Sequence, residues 1–230
     1  MAATKVGVVL SGCGFKDGTE IHESVLTLLA LDRAGADVRC FAPNVDQAVV
    51  VNHLTGETVS ERRNVLVESA RIARGRIEDV RAARAKDLDA VVLPGGYGAV
   101  QNLSSFGAKG AACDVHPEVA RLLKEMHAAK KPIGAICIAP AVVAKTLGAA
   151  RPHMTIGHDE KTAKSLTVCG AVHEDCPVDR FVVDRDNRIV STPAYMLGPT
   201  IRHVAEGIDR CVAEVLAMAG GRTPAAAGAR

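Results

Sequence analysis

Short, wholly apolar runs alternate with amphipathic stretches along most of this chain. Val6 to Leu10 is one such run, with the length and character of a strand covered on both faces. The turn Ser11-Gly12-Cys13-Gly14 follows, and a helix is predicted from about Glu20 to Arg33, with Ile21, Val25, Leu28 and Leu29 as its apolar face. Gly35 ends that helix, and Asp37 to Phe41 reads as the second strand. Ala90 to Leu93 is a further buried strand between helical segments near Val65 to Arg74 and Pro117 to Ala129. Pro132 to Ile136 is another, and the helix after it, Ala139 to Leu147, is opened by Pro140. Proline suits a first turn whose N–H groups have no partner. Phe181 to Val183 and Val190 to Thr192 are joined by the turn Asp184-Arg185-Asp186-Asn187, and a long helix from about Met196 to Ala219 closes the pattern. Alternation of this kind predicts an α/β protein with a mostly parallel sheet and helices on both faces. Nothing divides the chain, so one domain is expected over 1–219, with 220–230, rich in alanine, glycine and proline, as a flexible tail.

Composition supports that class and excludes others. With 230 residues there is enough chain for a sizeable core, and an aromatic content of 3% with no tryptophan gives it an aliphatic character. A formal charge of +2 and the lack of a dense basic stripe speak against nucleic acid. Arg62, Arg63, Arg71, Arg74 and Arg76 read as a solvated helix face, without interleaved aromatics for base stacking. No apolar run reaches membrane-spanning length, so no membrane partner is expected. The start Met1-Ala2-Ala3-Thr4-Lys5 leads directly into a strand, which predicts no signal peptide. Seven cysteines, an odd number, show neither disulfide nor zinc spacing; Cys169 and Cys176 have no matching pair. Reduced thiols and a cytoplasmic location are expected.

The chemistry concentrates at Ala135-Ile136-Cys137-Ile138-Ala139-Pro140, where a buried strand gives way to a helix. A side chain on so sharp a turn is pushed out of the sheet edge, and the residues two before and two after it must be small. Ala135 and Ala139 meet that demand, which is the logic of a nucleophile elbow with cysteine in place of serine. The helix N-terminus is expected to lower the thiol pKa. By itself the segment equally describes a buried structural cysteine. Ligands of open α/β sheets sit outside the carboxyl ends of the strands, and two further features converge there. Pro94-Gly95-Gly96-Tyr97-Gly98 follows the strand Ala90 to Leu93. The N–H of Gly96 and that of Ile138 are candidates for an oxyanion hole, against an ordinary glycine turn. Glu20-Ile21-His22-Glu23 opens the first long helix. An inward carboxylate there is a candidate proton shuttle, although acids at a helix start are commonly placed for the dipole. Cys13 could line the same pocket, structural by default. Gly12, Gly14 and Gly18 lack dinucleotide spacing. His22 and His53 are candidate substrate contacts, with no third ligand to suggest a metal.

Taken together, these segments resemble a known family. Leu93-Pro94-Gly95-Gly96-Tyr97-Gly98-Ala99-Val100-Gln101-Asn102-Leu103, Ile136-Cys137-Ile138-Ala139-Pro140 and the spacing of Glu23 from Ala34-Gly35 look like the PfpI and Parkinson-associated deglycase branch of the class I glutamine amidotransferase-like superfamily. Gly7 to Gly14, Glu20 to Glu23, Asn52 to Glu57, Arg63 to Leu66, Gly207-Ile208-Asp209 and Thr192-Pro193-Ala194-Tyr195-Met196 are similar to its ElbB-type group, the isoprenoid biosynthesis glyoxalases. The resemblance covers roughly residues 4 to 218. It implies a flavodoxin-like sandwich forming a class I glutamine amidotransferase-like domain, with Cys137 at the elbow and Glu23 as its carboxylate partner. Gly96 and Ile138 are carried as the oxyanion hole and Cys13, Gly95 and Asn102 as pocket residues. The implied activity is cofactor-free and metal-free conversion of a small dicarbonyl aldehyde, glyoxal or methylglyoxal, to a hydroxy acid, in a homodimer.

Departures narrow the chemistry. Peptidase-like members carry a histidine after the nucleophile, where this chain has Ile138, and glutaminase members carry His-x-Glu before the last helix, where it has Ser191-Thr192-Pro193-Ala194-Tyr195. Amide hydrolysis is therefore disfavoured. His158, in Thr155-Ile156-Gly157-His158-Asp159, falls near where some relatives place a histidine by the cysteine, though a lone loop histidine is more often a surface residue. The competing reading is a redox-responsive regulatory protein that uses the same reactive thiol with little catalysis.

Overall fold

A computed structural model describes residues 2–198 and 200–220. The predicted tail lies, from residue 221 onward, outside the described residues. In chain order the elements are β1 (Lys5–Val9), α1 (Ile21–Arg33), β2 (Asp37–Ala42), α2 (Val65–Ile72), β3 (Ile77–Asp79), β4 (Ala90–Leu93), α3 (Tyr97–Gln101), α4 (Phe106–Lys109) and α5 (Pro117–Ala128). Then come β5 (Ile133–Ile136), α6 (Pro140–Leu147), β6 (His153–Met154), α7 (Glu160–Val168), β7 (Val172–His173), β8 (Val182–Asp184), β9 (Ile189–Thr192) and α8 (Ile201–Met218). Seven strands form one sheet in the order β3-β2-β1-β4-β5-β9-β8, while β6 and β7 pair separately. Every pairing in the large sheet is parallel except β8 with β9. This is the expected α/β sandwich.

Alternation along the strands sorts the core into two layers, because successive side chains of a strand leave opposite faces. Val91 and Leu93 pack with Leu122, Val142 and Leu166 of α5, α6 and α7. Ala90 and Val92 pack with Leu31, Val65, Val204 and Ile208 of α1, α2 and α8. The chain order turns back between β1 and β4, so the loops after these strands part there and leave a crevice at the carboxyl edge. Among the described residues no helix is long and apolar enough to cross a membrane.

One expectation about α1 is reversed. Ile21, Val25 and Leu29 stand 43%, 49% and 39% exposed, whereas Glu23, Ser24, Thr27, Ala30 and Leu31 are the buried positions. The helix docks through small hydroxyl residues whose polar atoms are satisfied locally. Thr27 Oγ1 donates to the Glu23 carbonyl at 2.7 Å and Ser24 Oγ to the Glu20 carbonyl at 2.7 Å. That mode of docking carries Glu23 inward. The last helix also begins later than predicted, at Ile201, after a 3₁₀ turn over Ala194–Met196.

Candidate active site

Strand β5 delivers Cys137 to a turn in which its φ is +60°, a left-handed conformation rare for a residue with a side chain. The turn is held on both sides, since Cys137 N–H donates to the Thr192 carbonyl at 2.9 Å and Ala139 N–H to the Ile136 carbonyl at 3.0 Å. Ala135 and Ala139 are fully buried beside it, and Pro140 begins α6. The local geometry is that of an elbow. The thiol residue is 7% exposed.

Glu23, in the first turn of α1, is fully buried. Its Oε2 accepts the Gly95 N–H at 2.9 Å, and its Oε1 accepts the Tyr195 N–H at 3.2 Å. The Cys137 side chain lies beside it across Gly95 and helps to hold its charge. Glycine is required at 95 by close approach, because a Cβ there would lie 2.4 Å from Cys137 Cβ and 2.8 Å from Glu23 Oε2. Gly96 has φ +90° and caps α3, and a Cβ on it would lie 2.4 Å from the Glu20 nitrogen. Its N–H and that of Ile138 face the sulfur. Two backbone donors therefore converge where a thiolate, or an oxyanion formed beside it, would need them.

Burial pushes the Glu23 carboxyl up to about 8, with the charge of Glu20 adding, against the pull of the Tyr195 N–H, the Cys137 thiol and the Gly95 N–H. Burial also pushes the Cys137 thiol well above its ordinary value, with the Glu23 charge adding, while the Gly96 and Ile138 N–H groups oppose. The expected lowering by the helix N-terminus is thus overturned: desolvation and an adjacent acid outweigh it. Two acids in such contact carry one negative charge before they carry two. A neutral Glu23 no longer repels a thiolate and has a proton to give.

A cavity of about 950 Å³ opens over the thiol. Its walls come from both layers: His22, from α1, on one side and Lys161, Thr162 and Ser165, from α7, on the other, with Phe15, Val100, Phe106 and Met196 as apolar lining. Cys137, Ile138 and Gly96 lie at it. His22 Nδ1 is 2.8 Å from the Tyr195 hydroxyl. Glu20 caps α1, accepting the Glu23 N–H at 2.6 Å, and burial raises its pKa.

The structure brings Cys137, Glu23, Gly95, Gly96 and Ile138 together, and it places four other expected residues elsewhere. Cys13, whose thiol is raised mainly by burial, feels Glu68, Arg71 and Asp17 and does not line the cavity. Asn102 is a buried staple, its Nδ2 donating to the Ser11 and Asp17 carbonyls at 2.8 and 2.9 Å and its Oδ1 accepting the Ala48 N–H at 3.0 Å. His158 is exposed and lies outside the cavity lining. His53 packs edge-on against Phe15 and accepts the Lys16 N–H at 3.3 Å. Sequence reasoning missed Lys161, Phe106 and the Tyr195 N–H that holds Glu23. The cap Asp159, which accepts the Thr162 N–H at 2.8 Å, was the available signal for α7. Among the described residues no group of three His, Cys, Asp or Glu is placed to hold a metal ion.

The DJ-1/PfpI family model matches residues 12–195, which spans the elbow, the Gly95-Gly96 loop and Glu23. The chain belongs to the DJ-1/PfpI family. That family includes enzymes of the glyoxalase and deglycase type and regulatory proteins. The chain is similar to the rat ES1 protein homolog, mitochondrial, at 45% identity over 226 residues, covering 94% of this chain and 84% of that protein. It is 44% identical over 228 residues to the human glutamine amidotransferase-like class 1 domain-containing protein 3, mitochondrial, covering 95% and 84%. Among solved structures it resembles an isoprenoid biosynthesis protein with an amidotransferase-like domain from Ehrlichia chaffeensis, with a TM-score of 0.87 and 42% identity over 93% of this chain and 99% of that one. The expected cytoplasmic location is corrected by these relatives, since both mammalian proteins are named mitochondrial. Free thiols indicate a reducing environment and do not select one compartment over another.

Proposed function

We propose that this chain is a cofactor-free glyoxalase of the ElbB-type group, folded as one class I glutamine amidotransferase-like domain over 1–219. One observation carries the reading: a cysteine held at φ +60° on an elbow faces a buried carboxyl raised to about 8 and two convergent backbone N–H groups. The Cys137 sulfur attacks one aldehyde carbon of glyoxal, and its proton passes to the carbonyl oxygen, giving a hemithioacetal. The Gly96 and Ile138 N–H groups stabilise the oxyanion on the way. Glu23, in its carboxylate form, then takes the proton from the carbon bonded to sulfur and returns it to the neighbouring carbon, while the hydroxyl proton passes to the neighbouring oxygen, giving a glycolyl thioester. Water adds to the acyl carbon, the C–S bond breaks, and glycolate and the thiol are released. Electrons are exchanged only between the two carbons, so no redox cofactor is needed.

The name of the Ehrlichia relative and the long matched segments support a link to isoprenoid biosynthesis. The exposed row Ile21, Val25 and Leu29 supports a homodimer. The cavity over the thiol and the two backbone N–H donors favour turnover over the redox-responsive alternative, which needs neither. Glyoxal loss and glycolate formation by Cys137→Ala and Glu23→Gln, matched for folding, test the proposal. Both variants should lose turnover by at least 10²-fold, on the order expected for a nucleophile or general acid–base. Wild-type turnover in the cysteine variant would end the reading. Selective oxidation of Cys137 by mild peroxide without aldehyde turnover would favour the alternative.

A further inference from the structure

The release step calls for a base that Glu23 is poorly placed to supply. Both of its oxygens are engaged by backbone N–H groups, and the side chain is fully buried. The position after the nucleophile, which holds a histidine in peptidase-like relatives, is Ile138. A histidine nevertheless reaches the cavity from α1. His22 lies one residue before Glu23, and it lines the cavity together with Cys137 and Tyr195. Its Nδ1 is 2.8 Å from the Tyr195 hydroxyl, and the two rings are 5.8 Å apart at 47°. Its Nε2 has no hydrogen-bond partner among the described residues. The backbone N–H of the same Tyr195 holds Glu23 at 3.2 Å, so one short segment anchors both acid–base groups of the site.

We propose that His22 is the general base that activates water for deacylation of Cys137, with Tyr195 as its positioning residue. Nδ1–H donates to the Tyr195 hydroxyl oxygen, which fixes the tautomer and leaves the Nε2 lone pair toward the cavity. Water gives its proton to Nε2 as its oxygen bonds to the acyl carbon. The C–S bond then breaks, the sulfur leaves with its electron pair, and the imidazolium returns the proton to it. The division of labour follows from burial. Glu23, closed off from solvent, moves a proton between carbons of the bound substrate, and His22, exposed at the mouth, works on water. The proposal rests on the glyoxalase reading only in that the acyl group arises there from glyoxal.

Acylation of Cys137 by p-nitrophenyl acetate, with loss of p-nitrophenolate, separates the two. The acetyl group on the Cys137 peptide is followed by mass spectrometry in wild type, His22→Ala and Tyr195→Phe, beside glyoxal turnover by the wild type. His22→Ala should acylate normally and deacylate on the order of 10²-fold more slowly, with added imidazole restoring the rate. Tyr195→Phe should fall between. Both side chains reach the cavity from its rim, so folding is not at stake. Equal deacylation of His22→Ala and wild type overturns the role of His22, and glyoxal turnover by the same wild type then leaves the glyoxalase reading standing. Slow deacylation of His22→Ala in a protein inert toward glyoxal upholds the base and removes the substrate. Failure of Cys137 to acylate in the wild type overturns both.

Discussion

Glu23 shows how one buried carboxyl sets both chemistry and stability. Its ordinary value is 4.5 and its folded value about 8, so between those limits the folded state holds a proton that the unfolded state has lost. The stability associated with that proton is complete below about 4.5 and is lost as pH rises through about 8. The slope is about 1.4 kcal/mol per pH unit within the window. Thermal unfolding of the wild type should weaken over that span, and Glu23→Gln, which cannot titrate, should show a flatter profile. Parallel profiles would mean that Glu23 does not titrate there. The elbow was legible because it demands small residues at 135 and 139, whereas Glu23 as its partner came from the family resemblance, since an acid at a helix start is commonly there for the dipole. Asn102 and Cys13 were misread because lying after a strand at the functional edge does not say which way a side chain turns. Asn102 turns inward to bond three backbone groups. The sign of the thiol shift was misread for a related reason, since burial is invisible in a local motif.

At the scale of elements, two helices illustrate what periodicity does and does not carry. Ile21, Val25, Leu28 and Leu29 recur at helical spacing as one apolar face, yet only Leu28 packs against the core and the other three face outward. Periodicity finds a face without naming what covers it, and here the sheet takes the side with Glu23, Ser24 and Thr27. If that row is the homodimer contact, Val25→Glu should give monomers in sedimentation with unchanged helix content, because the side chain is already about half exposed and a buried unpaired charge at an interface is costly. An unchanged oligomeric state would place the contact elsewhere. Helix α3 makes the opposite point. Asn102 at its C-terminus ties the loop after β1 to the segment at Ala48. Asn102→Ala should cost about 2–3 kcal/mol, because buried backbone groups are left without partners. Chemical denaturation measures it, and a loss below about 0.5 kcal/mol would show that other groups take up those bonds.

At the scale of the molecule, the site exists because two layers meet over one sheet edge. Glu23 and His22 come with the layer of α1 and α8, Lys161 and Ser165 with the layer of α5, α6 and α7, and Cys137 from the strand between them. The sheet and its alternation were legible in the apolar runs. The short helices α3 and α4, which supply Val100 and Phe106 to the cavity, were not, since neither has enough turns to display a period. They matter to substrate choice. A cavity of about 950 Å³ with apolar walls is at the upper end of the range of about 300–1,000 Å³ typical for ligand sites, and glyoxal leaves most of it empty. An α-oxoaldehyde with an apolar body should therefore be preferred. Burying about 100 Å² of a phenyl ring at about 25 cal/mol per Å² is worth about 2.5 kcal/mol before ordering costs, and these reduce the advantage to roughly tenfold. Phenylglyoxal should accordingly show a kcat/KM about tenfold above that of glyoxal, and Phe106→Ala should reduce that ratio without changing glyoxal turnover. Equal values for the two aldehydes would mean that the walls do not contribute to recognition, leaving the Cys137 and Glu23 end of the cavity as the whole of the binding site.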